Sequence, residues 1–290
     1  YNNEKGYSKD FHSVYEFLIR INSKRMITPH YLWARWIWQF GPYMNMEHLS
    51  QIGIAEDNGA IVGLATYEND IGEAYFCIDE DYEDLKPILL DYATEHLSKD
   101  GKIKVTLPDG NLGYQQAAVQ KGFIPTQNKE SVARIDVGNN ICELPDGYTI
   151  MSFADARFDA DRYYNAIWRG FNNKRERNDV EKESIKNREG FDAPYFNHDL
   201  RVLVVAPNGD YASHCGMWYP SGSDYAYVEP VFTLPEYRKM GLGKAAVLEG
   251  VNRCGSLGAT HAYVGSSLQF YYSIGFYPYQ NETWWEKTLQ

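Results

Sequence analysis

The chain has 290 residues, of which 44% are hydrophobic and 23% are charged. This composition is typical of folded domains and argues against a disordered protein, and the length predicts two domains of ordinary size. Lys and Arg number 28 against 39 Asp and Glu, which gives a net charge of −11. Such an acidic chain is not expected to bind nucleic acid, because phosphate contacts need concentrated cations.

The sequence also disfavours membrane proteins, disulfide scaffolds and zinc sites. The best candidate for a membrane span, residues 31–40, is too short and contains Arg35. No basic and then apolar leader opens the sequence, so we expect a cytoplasmic protein with no membrane partner. No two cysteines form a C-x-x-C pair, which predicts reduced structural thiols and no bound metal; they are Cys77, Cys142, Cys215 and Cys254.

The first half of the chain is predicted to mix helices with short strands, because helical and alternating apolar patterns follow one another. In chain order we expect helices over 11–25 and 29–40, strands over 51–56, 60–67 and 73–78, a helix over 82–99, a strand over 102–107, a short helix before Gly122 and a strand near 131–137.

The second half repeats this order. We expect a strand over 148–153, helices over 159–171 and about 179–190, strands over 200–206, 211–219 and 225–233, a helix from Gly243 to about 257, a strand over 261–265, a short helix before Gly275 and an aromatic tail over 277–289.

Landmarks in the two halves recur at a constant interval. Gly63 and Gly216, which follow equivalent hairpin turns, are 153 residues apart, as are the Gly-Phe glycines Gly122 and Gly275. This interval indicates an internal duplication. We therefore predict two α+β domains, over 1–138 and 148–290, joined by a turn-rich linker over 139–147, each with a mostly antiparallel central sheet flanked by helices.

A glycine-bearing basic turn follows the strand over 225–233. It carries Arg238, Gly241 and Gly243 in the spacing R-x-x-G-x-G and opens a helix. The first N–H groups of a helix have no partners within it, and the helix dipole leaves that end partly positive. The strand, turn and helix together favour a binding site for pyrophosphate. A Rossmann dinucleotide site is a poor alternative, because the turn follows a hairpin and Arg238 stands at the first glycine.

At these residues the second half resembles the GNAT N-acetyltransferase family. The resemblance consists of a hairpin, the strand 227–233, the loop 235–244 with its helix, and a segment from Phe270 to Phe276 that matches the family's Tyr-x-x-x-Gly-Phe signature. It covers 148–290 well. In 1–138 it is one of layout only, so the whole chain resembles a tandem pair of GNAT domains with a degenerate first member.

The resemblance implies an acetyl-CoA site without a metal. The turn from Arg238 to Ala245 would bind pyrophosphate through backbone N–H groups, and the strand edge would pair with the pantetheine arm. The implied cofactor-binding residues are Val231, Phe232, Thr233, Arg238, Lys239, Met240, Gly241, Leu242, Gly243, Lys244 and Ala245.

The resemblance also implies two catalytic side chains. Glu229, on the central strand, is the candidate base that takes a proton from the attacking amine, either directly or through water. Tyr271 matches the family's tyrosine that donates a proton to the departing thiolate. The neighbouring Tyr272 is the other phenol at this place, and His214 is a spare candidate for the base.

The first half departs from the family at both critical places. Its phosphate turn is replaced by the acidic run 79–84, which would repel pyrophosphate, and the position of Tyr271 is taken by Ala118. We therefore expect only the second domain to bind the cofactor. The first domain would line the substrate cleft or form a homodimer.

The implied function is an N-acetyltransferase that moves an acetyl group from acetyl-CoA to a primary amine by direct transfer in a ternary complex. The acceptor would be a small-molecule or peptide amine. Two alternatives stay open. The protein could be a catalytically silent acyl-CoA-binding sensor, or it could use a different acyl donor.

Overall fold

The computed structural model describes residues 1–2, 4–23, 25–29, 31–40, 44–138, 143–176 and 196–289. The chain forms two compact units. Unit 1 contains Tyr1–Val132, Gly265–Ser267 and Pro278–Gln290, and unit 2 contains Ala133–Val264 and Leu268–Tyr277. The helix predicted over 179–190 lies outside the described residues.

Unit 1 is a mixed sheet with helices. Its sheet has the order β1-β2-β3-β4-β11-β5, in which only β3 and β4 pair in parallel among the pairings resolved. The elements are α1 (Lys9–Ile21), α2 (Trp33–Gln39), β1 (Gly53–Asp57), β2 (Ala60–Thr66), β3 (Glu73–Ile78), α3 (Leu85–His96), β4 (Lys102–Pro108), α4 (Leu112–Gln120), β5 (Ile124–Asp136) and β11 (Tyr277–Thr288).

Unit 2 has the strand order β5-β10-β9-β8-β7-β6, and again one pair, β9 with β10, is parallel. Besides the end of β5, its elements are β6 (Thr149–Ser152), α5 (Ala160–Gly170), β7 (Arg201–Val205), β8 (Tyr211–Trp218), β9 (Tyr225–Thr233), α6 (Leu242–Ser256), β10 (His261–Val264) and α7 (Gln269–Ser273).

The two units share one plan, which confirms the predicted fold of two mostly antiparallel α+β domains. The correspondence extends to single hydrogen bonds at the ends of α4 and α7. Phe123 N donates to Ala118 O at 2.9 Å, and Phe276 N donates to Tyr271 O at 3.1 Å. Ala118 and Tyr271 therefore occupy equivalent positions, as the 153-residue interval predicts.

Nearly all of β11 lies in unit 1, and the last four residues of β5, from Ala133 to Asp136, lie in unit 2. Strand β11 pairs with β4 in unit 1, and the end of β5 pairs with β10 in unit 2 from Ala133 to Asp136. The linear boundaries expected from the sequence place residues 278–290 with the second half instead. The edges of β4 and β10 each carry backbone N–H and C=O groups that can pair with a strand from either half of the chain. This explains why the observed units differ from the linear boundaries.

Both faces of the unit 2 sheet are covered. Side chains alternate along β7, so Val202 and Val204 pack in the cluster that contains α6, while Leu203 packs with Tyr163 of α5 on the other face. Strand β9, between these two layers, is held in place on both sides. Its carboxyl end and the loop that follows are where the predicted site residues lie.

Three cysteines of the described chain are buried free thiols: Cys77, Cys215 and Cys254. Cys142 lies outside the described residues. Within the described ranges, no three His, Cys, Asp or Glu side chains are grouped so as to hold a metal ion. None of the helices described is both long and apolar enough to cross a membrane.

Candidate active site

Strand β9 has an open edge at its carboxyl end. Its parallel pairing with β10 ends at Tyr227. On the other side, Leu234 N donates to Ala212 O at 2.9 Å. Because hydrogen-bonded pairs alternate along an antiparallel ladder, the backbone groups of Val231 and Thr233 point away from β8, toward the side that β10 has left. This edge can pair with an extended ligand.

The loop after β9 is fixed by the side chain of Arg238. Its Nε donates to the carbonyl of Thr233 at 3.1 Å. Its Nη2 donates to Gly170 O at 3.0 Å and to Asn172 Oδ1 at 2.7 Å. The guanidinium thus ties the loop to the end of β9 and to the end of α5. Arg238 therefore shapes the turn through its side chain, whereas the sequence predicted only a backbone contact with phosphate.

Helix α6 begins with free N–H groups. Its N-cap is Gly241, with φ of +81°, and no side chain caps the helix. The first intrahelical bond runs from Ala245 N to Gly241 O at 3.0 Å. The N–H groups of residues 242–244 precede this bond and have no partner within the helix. Ala245 differs from the sequence expectation, because its N–H is already engaged.

Gly243 allows the helix start to approach the strand closely. A Cβ at this position would lie 3.0 Å from Thr233 Oγ1 and 3.3 Å from the ring of Phe270. A larger residue would push the helix away from both groups. The glycine spacing of the turn thus has two causes, a positive φ at Gly241 and tight packing at Gly243.

A cavity of about 620 Å³ joins these features within unit 2. It runs from the start of α6 along the end of β9 to Tyr271 of α7. Of the predicted residues it is lined by Val231, Phe232, Thr233, Arg238, Lys239, Gly241, Leu242, Gly243, Lys244 and Tyr271. Met240 is exposed and Ala245 is buried, and neither lines the cavity.

Tyr271 is the one phenol of the Tyr271-Tyr272 pair that lines the cavity. Its side chain is 8% exposed and packs edge-on against Phe270 and Phe276, with ring centroids 5.0 and 5.4 Å away. Burial, and then the charges of Cys215 and Glu229, raise the pKa of Tyr271 well above its usual value. The phenol therefore keeps its proton at neutral pH and can act as a donor.

The sequence of this region matches a known family. Residues 160–278 match the model of the acetyltransferase (GNAT) family. This segment is a GNAT acetyltransferase domain. The resemblance predicted from the turn and the Gly-Phe segment is confirmed, and CoA-dependent acyl transfer is the chemistry associated with the domain.

Solved structures of GNAT proteins share the fold of the whole chain. A tandem GNAT protein from the clavulanic acid biosynthesis pathway has a TM-score of 0.63 at 12% identity, with 97% of this chain and 96% of that chain covered. A GCN5-related N-acetyltransferase from Sphaerobacter thermophilus has a TM-score of 0.56 at 15% identity, with 80% and 78% covered.

A third similar structure is the GCN5-related glucosamine N-acetyltransferase region of a fungal multi-domain enzyme. Its TM-score is 0.53 at 14% identity, and the match covers 97% of this chain and 37% of that one. At such identities the likeness shows the fold alone. A comparison with curated protein sequences found no match.

Glu229 lies on β9 of the GNAT domain but does not line the cavity. Its backbone carbonyl accepts hydrogen bonds from Arg201 Nη1 at 2.9 Å and Trp218 Nε1 at 3.0 Å. Gly216 makes room for this contact, because a Cβ there would lie 2.3 Å from Arg201 Nη1. The side chain of Glu229 is partly buried, and its charge acts on Tyr271.

His214 does not serve as a spare base. It is fully buried in the GNAT domain, stacks on Phe153 at 5.3 Å and does not line the cavity. Its Nδ1 lies 2.9 Å from the carbonyl of Val202, so this nitrogen carries the hydrogen and donates. Burial, and then the charge of Arg201, lower the pKa of His214 well below its usual value.

Neutral His214 should make the fold sensitive to acid. Its folded pKa is depressed, so its contribution to stability is complete above pH 6.5 and is lost as the pH falls through the folded pKa. The slope can reach about 1.4 kcal/mol per pH unit, because one proton binds to the unfolded chain first. We expect His214→Phe to flatten the fall in unfolding free energy between pH 6.5 and 5, measured by urea titration. A variant with the wild-type slope would contradict this assignment.

Unit 1 has different chemistry at the equivalent turn. The run 79–84 contains a short helical turn, and its acidic side chains pair with nearby cations: Asp79 with Arg20, Glu80 with Arg25 and Glu83 with Lys86. Three of the carboxylates are therefore held in ion pairs with other residues of unit 1. The structure adds this local role to the repulsion of pyrophosphate that the sequence predicts.

Sequence reasoning missed several residues that line the cavity. They come from four places in the GNAT domain: Gly170 at the end of α5, Tyr237 in the loop, Leu268 before α7, and Phe270, Ser273 and Ile274 on or beside α7. Phe270 is partly exposed and covers Gly243. Its place directly before Tyr271 is the only signal that could have identified it.

Proposed function

We propose that the GNAT domain transfers an acetyl group from acetyl-CoA to a primary amine by direct attack in a ternary complex. The observation that carries this proposal is the continuity of the 620 Å³ cavity. Its lining includes the uncapped start of α6, the open edge of β9 and the residue Tyr271, whose phenol is protonated. These three features meet the needs of a diphosphate, an amide-bearing arm and a leaving thiolate in that order.

The diphosphate would bind at the start of α6. The N–H groups of residues 242–244 and the positive end of the helix dipole attract anions. Lys239 and Lys244 line the same part of the cavity and add two positive charges. Gly241 has no Cβ, and the space that a Cβ would enter is open, with no heavy atom of the chain within 4 Å.

The arm of acetyl-CoA would extend along β9. Both backbone groups of Val231 and the N–H of Thr233 face this side, so amides of the arm can pair with them as an added strand. The Thr233 carbonyl already accepts a hydrogen bond from Arg238. A backbone N–H here would also stabilise the oxyanion that develops when the amine attacks the thioester carbonyl. Acetyl-CoA supplies the activated acyl group, and the chain supplies its orientation.

Two side chains would move protons. The neutral amine attacks the thioester carbon, a C–N bond forms and the C–S bond breaks. Tyr271 donates its proton to the departing sulfur, and Glu229 accepts the proton lost by the amine, directly or through water. The position of Glu229 outside the cavity lining favours the route through water.

Glu229→Gln is expected to lower kcat/KM by about 100-fold or more throughout the range from pH 5 to 9, because an amide cannot accept the proton. Steady-state rates from pH 5 to 9 test this. Glu249→Gln, on α6 and paired with Arg253, is the matched control and should behave as wild type. If Glu229→Gln lowered kcat/KM by less than tenfold, water alone would be the acceptor of the amine's proton.

The reaction is tested by following free thiol release from acetyl-CoA in the presence of amines. A panel should include aliphatic amines, amino sugars, amino acids and peptide amino termini. Turnover with any of them, and an N-acetylated product by mass spectrometry, would support the proposal. Tight acetyl-CoA binding without turnover on the whole panel would favour the silent acyl-CoA sensor. If thiol release were faster from a longer acyl-CoA than from acetyl-CoA, the longer acyl-CoA would be assigned as the donor.

A further inference from the structure

The side chain of Thr233 lies where the open edge of β9 meets the start of α6. Thr233 is partly exposed and lines the cavity of the GNAT domain. Its Oγ1 lies 3.0 Å from the position that a Cβ of Gly243 would occupy, so the hydroxyl is beside the first turn of α6. This position is between the place that suits a diphosphate and the edge that suits the arm of acetyl-CoA. The polarity of the hydroxyl therefore decides which of the two it can contact.

A buried serine on the neighbouring strand contacts this hydroxyl. Ser213 of β8 is paired with Thr233 of β9, is 0% exposed and does not line the cavity. Its Oγ lies 2.9 Å from Thr233 Oγ1 and 2.9 Å from the carbonyl oxygen of Phe232. Three oxygen atoms thus form a chain that runs from the backbone of β9 through Ser213 to Thr233.

The number of hydrogens in this chain of oxygens fixes its direction. Two oxygens that approach to 2.9 Å need a hydrogen between them. The Phe232 carbonyl has no hydrogen, and each hydroxyl has one. Ser213 must therefore donate to Phe232, and Thr233 must donate to Ser213. Because the hydrogen of Thr233 points toward Ser213, only the lone pairs of its oxygen remain for a ligand.

A hydroxyl in this state can only accept a hydrogen bond from a ligand. The oxygens of an ionised diphosphate are acceptors as well, so they cannot bond to Thr233 Oγ1. Their donors are the N–H groups of residues 242–244 at the start of α6. The arm of acetyl-CoA, in contrast, carries a hydroxyl and amide N–H groups that can donate. Because neighbouring hydrogen bonds polarise one another, the bond from Thr233 to Ser213 makes Thr233 Oγ1 a stronger acceptor for them.

We propose that Thr233 Oγ1 accepts a hydrogen bond from an O–H or N–H group of the arm, and that Ser213 is the positioning residue that keeps the hydroxyl in this direction. The proposal rests on the proposed acetyl-CoA site and adds a side-chain contact to the backbone pairing along β9. The two residues thereby favour ligands that carry the arm over nucleotides that end at the diphosphate.

Isothermal titration of the full chain with two ligands tests the contact of Thr233. The ligands are acetyl-CoA and 3′-phospho-ADP, which is the nucleotide part of CoA without the arm. Thr233→Val should weaken acetyl-CoA binding about three- to tenfold, as expected for the loss of one hydrogen bond, and should change 3′-phospho-ADP binding less than about twofold. Thr260→Val should change neither affinity. It is the matched control, since Thr260 donates to Asp224 O at 3.0 Å in the same domain and does not line the cavity.

Ser213→Ala separates a positioning role from a structural one. Without Ser213 the hydrogen of Thr233 can turn toward the cavity and donate to a diphosphate, so the preference for acetyl-CoA over 3′-phospho-ADP should fall about twofold or more. A purely structural role would change both affinities alike and leave the preference as in the wild type, which would overturn the role of Ser213. In the Thr233→Val background, Ser213→Ala should no longer alter the preference, because the group through which it acts is gone.

The outcomes separate this proposal from the acetyl-CoA site itself. Absence of acetyl-CoA binding in the wild type would refute the proposed function. If the wild type bound acetyl-CoA and Thr233→Val bound it equally well, only the side-chain contact would be refuted. Equal losses for both ligands in Thr233→Val would make the hydroxyl a donor to the diphosphate and overturn the inferred direction. With a CoA analogue that lacks the hydroxyl of the arm, equal binding by wild type and Thr233→Val would support that hydroxyl as the donor, and a persistent loss would support an amide N–H.

Discussion

Gly241→Asp is expected to weaken acetyl-CoA binding at least 100-fold, whereas Gly241→Asn should weaken it less than tenfold. Asn and Asp tolerate the positive φ of this position about equally, and both can cap α6, so strain and capping are matched. The remaining difference is one negative charge beside the diphosphate. Two charges 4 Å apart contribute about 4 kcal/mol at an effective dielectric constant of 20, or roughly a thousandfold in affinity. Isothermal titration with acetyl-CoA measures both variants.

The matched control lies in unit 1. Asp84 is the N-cap of α3, the helix that corresponds to α6. Asp84→Asn should leave the affinity for acetyl-CoA and the stoichiometry of one per chain unchanged. If Gly241→Asp bound acetyl-CoA like wild type, the diphosphate would have to lie elsewhere. A second bound acetyl-CoA in Asp84→Asn would show that unit 1 retains a cofactor site blocked only by charge.

Tyr271→Phe is expected to lower kcat by about 100-fold or more while the dissociation constant for acetyl-CoA changes little. General acid catalysis by a positioned side chain typically contributes factors of 10²–10⁴. The ring would keep its contacts with Phe270 and Phe276, so only the proton donor is removed. Stopped-flow or steady-state turnover, together with equilibrium binding, separates the two effects.

Tyr272→Phe is the control for this variant, since the residue is adjacent, is a phenol and does not line the cavity. It should turn over like wild type. The raised pKa of Tyr271 adds a pH test. The phenol is protonated below its folded pKa, so the wild-type rate should not fall between pH 8 and 10 through this group. Unchanged turnover in Tyr271→Phe would remove the residue from the mechanism.

Local patterns in the sequence predicted much of the fold and the turn. The apolar run over 225–233, the R-x-x-G-x-G spacing and the Gly-Phe segment are each contained within a few residues, and all of them form elements of the GNAT domain. The 153-residue interval held because a duplicated unit keeps its register. Tyr271 and Ala118 therefore fell on equivalent hydrogen bonds.

The features that the sequence did not predict depend on contacts between residues far apart in the chain. Whether His214 faces a cavity or a core depends on α5, which packs against the same face of β8. The hydrogen bonds of Arg238 reach Gly170, 68 residues away in the chain. The pairing of β11 with β4 likewise joins residues far apart in the chain and leaves no local pattern in the sequence.

The placement of β11 in unit 1 has a consequence for biosynthesis. Tyr1–Val132 of unit 1 are made before unit 2, but the sheet of unit 1 is incomplete until β11 has been made. While residues 109–276 are being synthesised, the edge of β4 that pairs with β11, from Lys102 to Pro108, lacks this partner. We expect the nascent first half to persist as a partly formed, aggregation-prone intermediate. Completion of unit 1 thus waits until all of unit 2 has been synthesised.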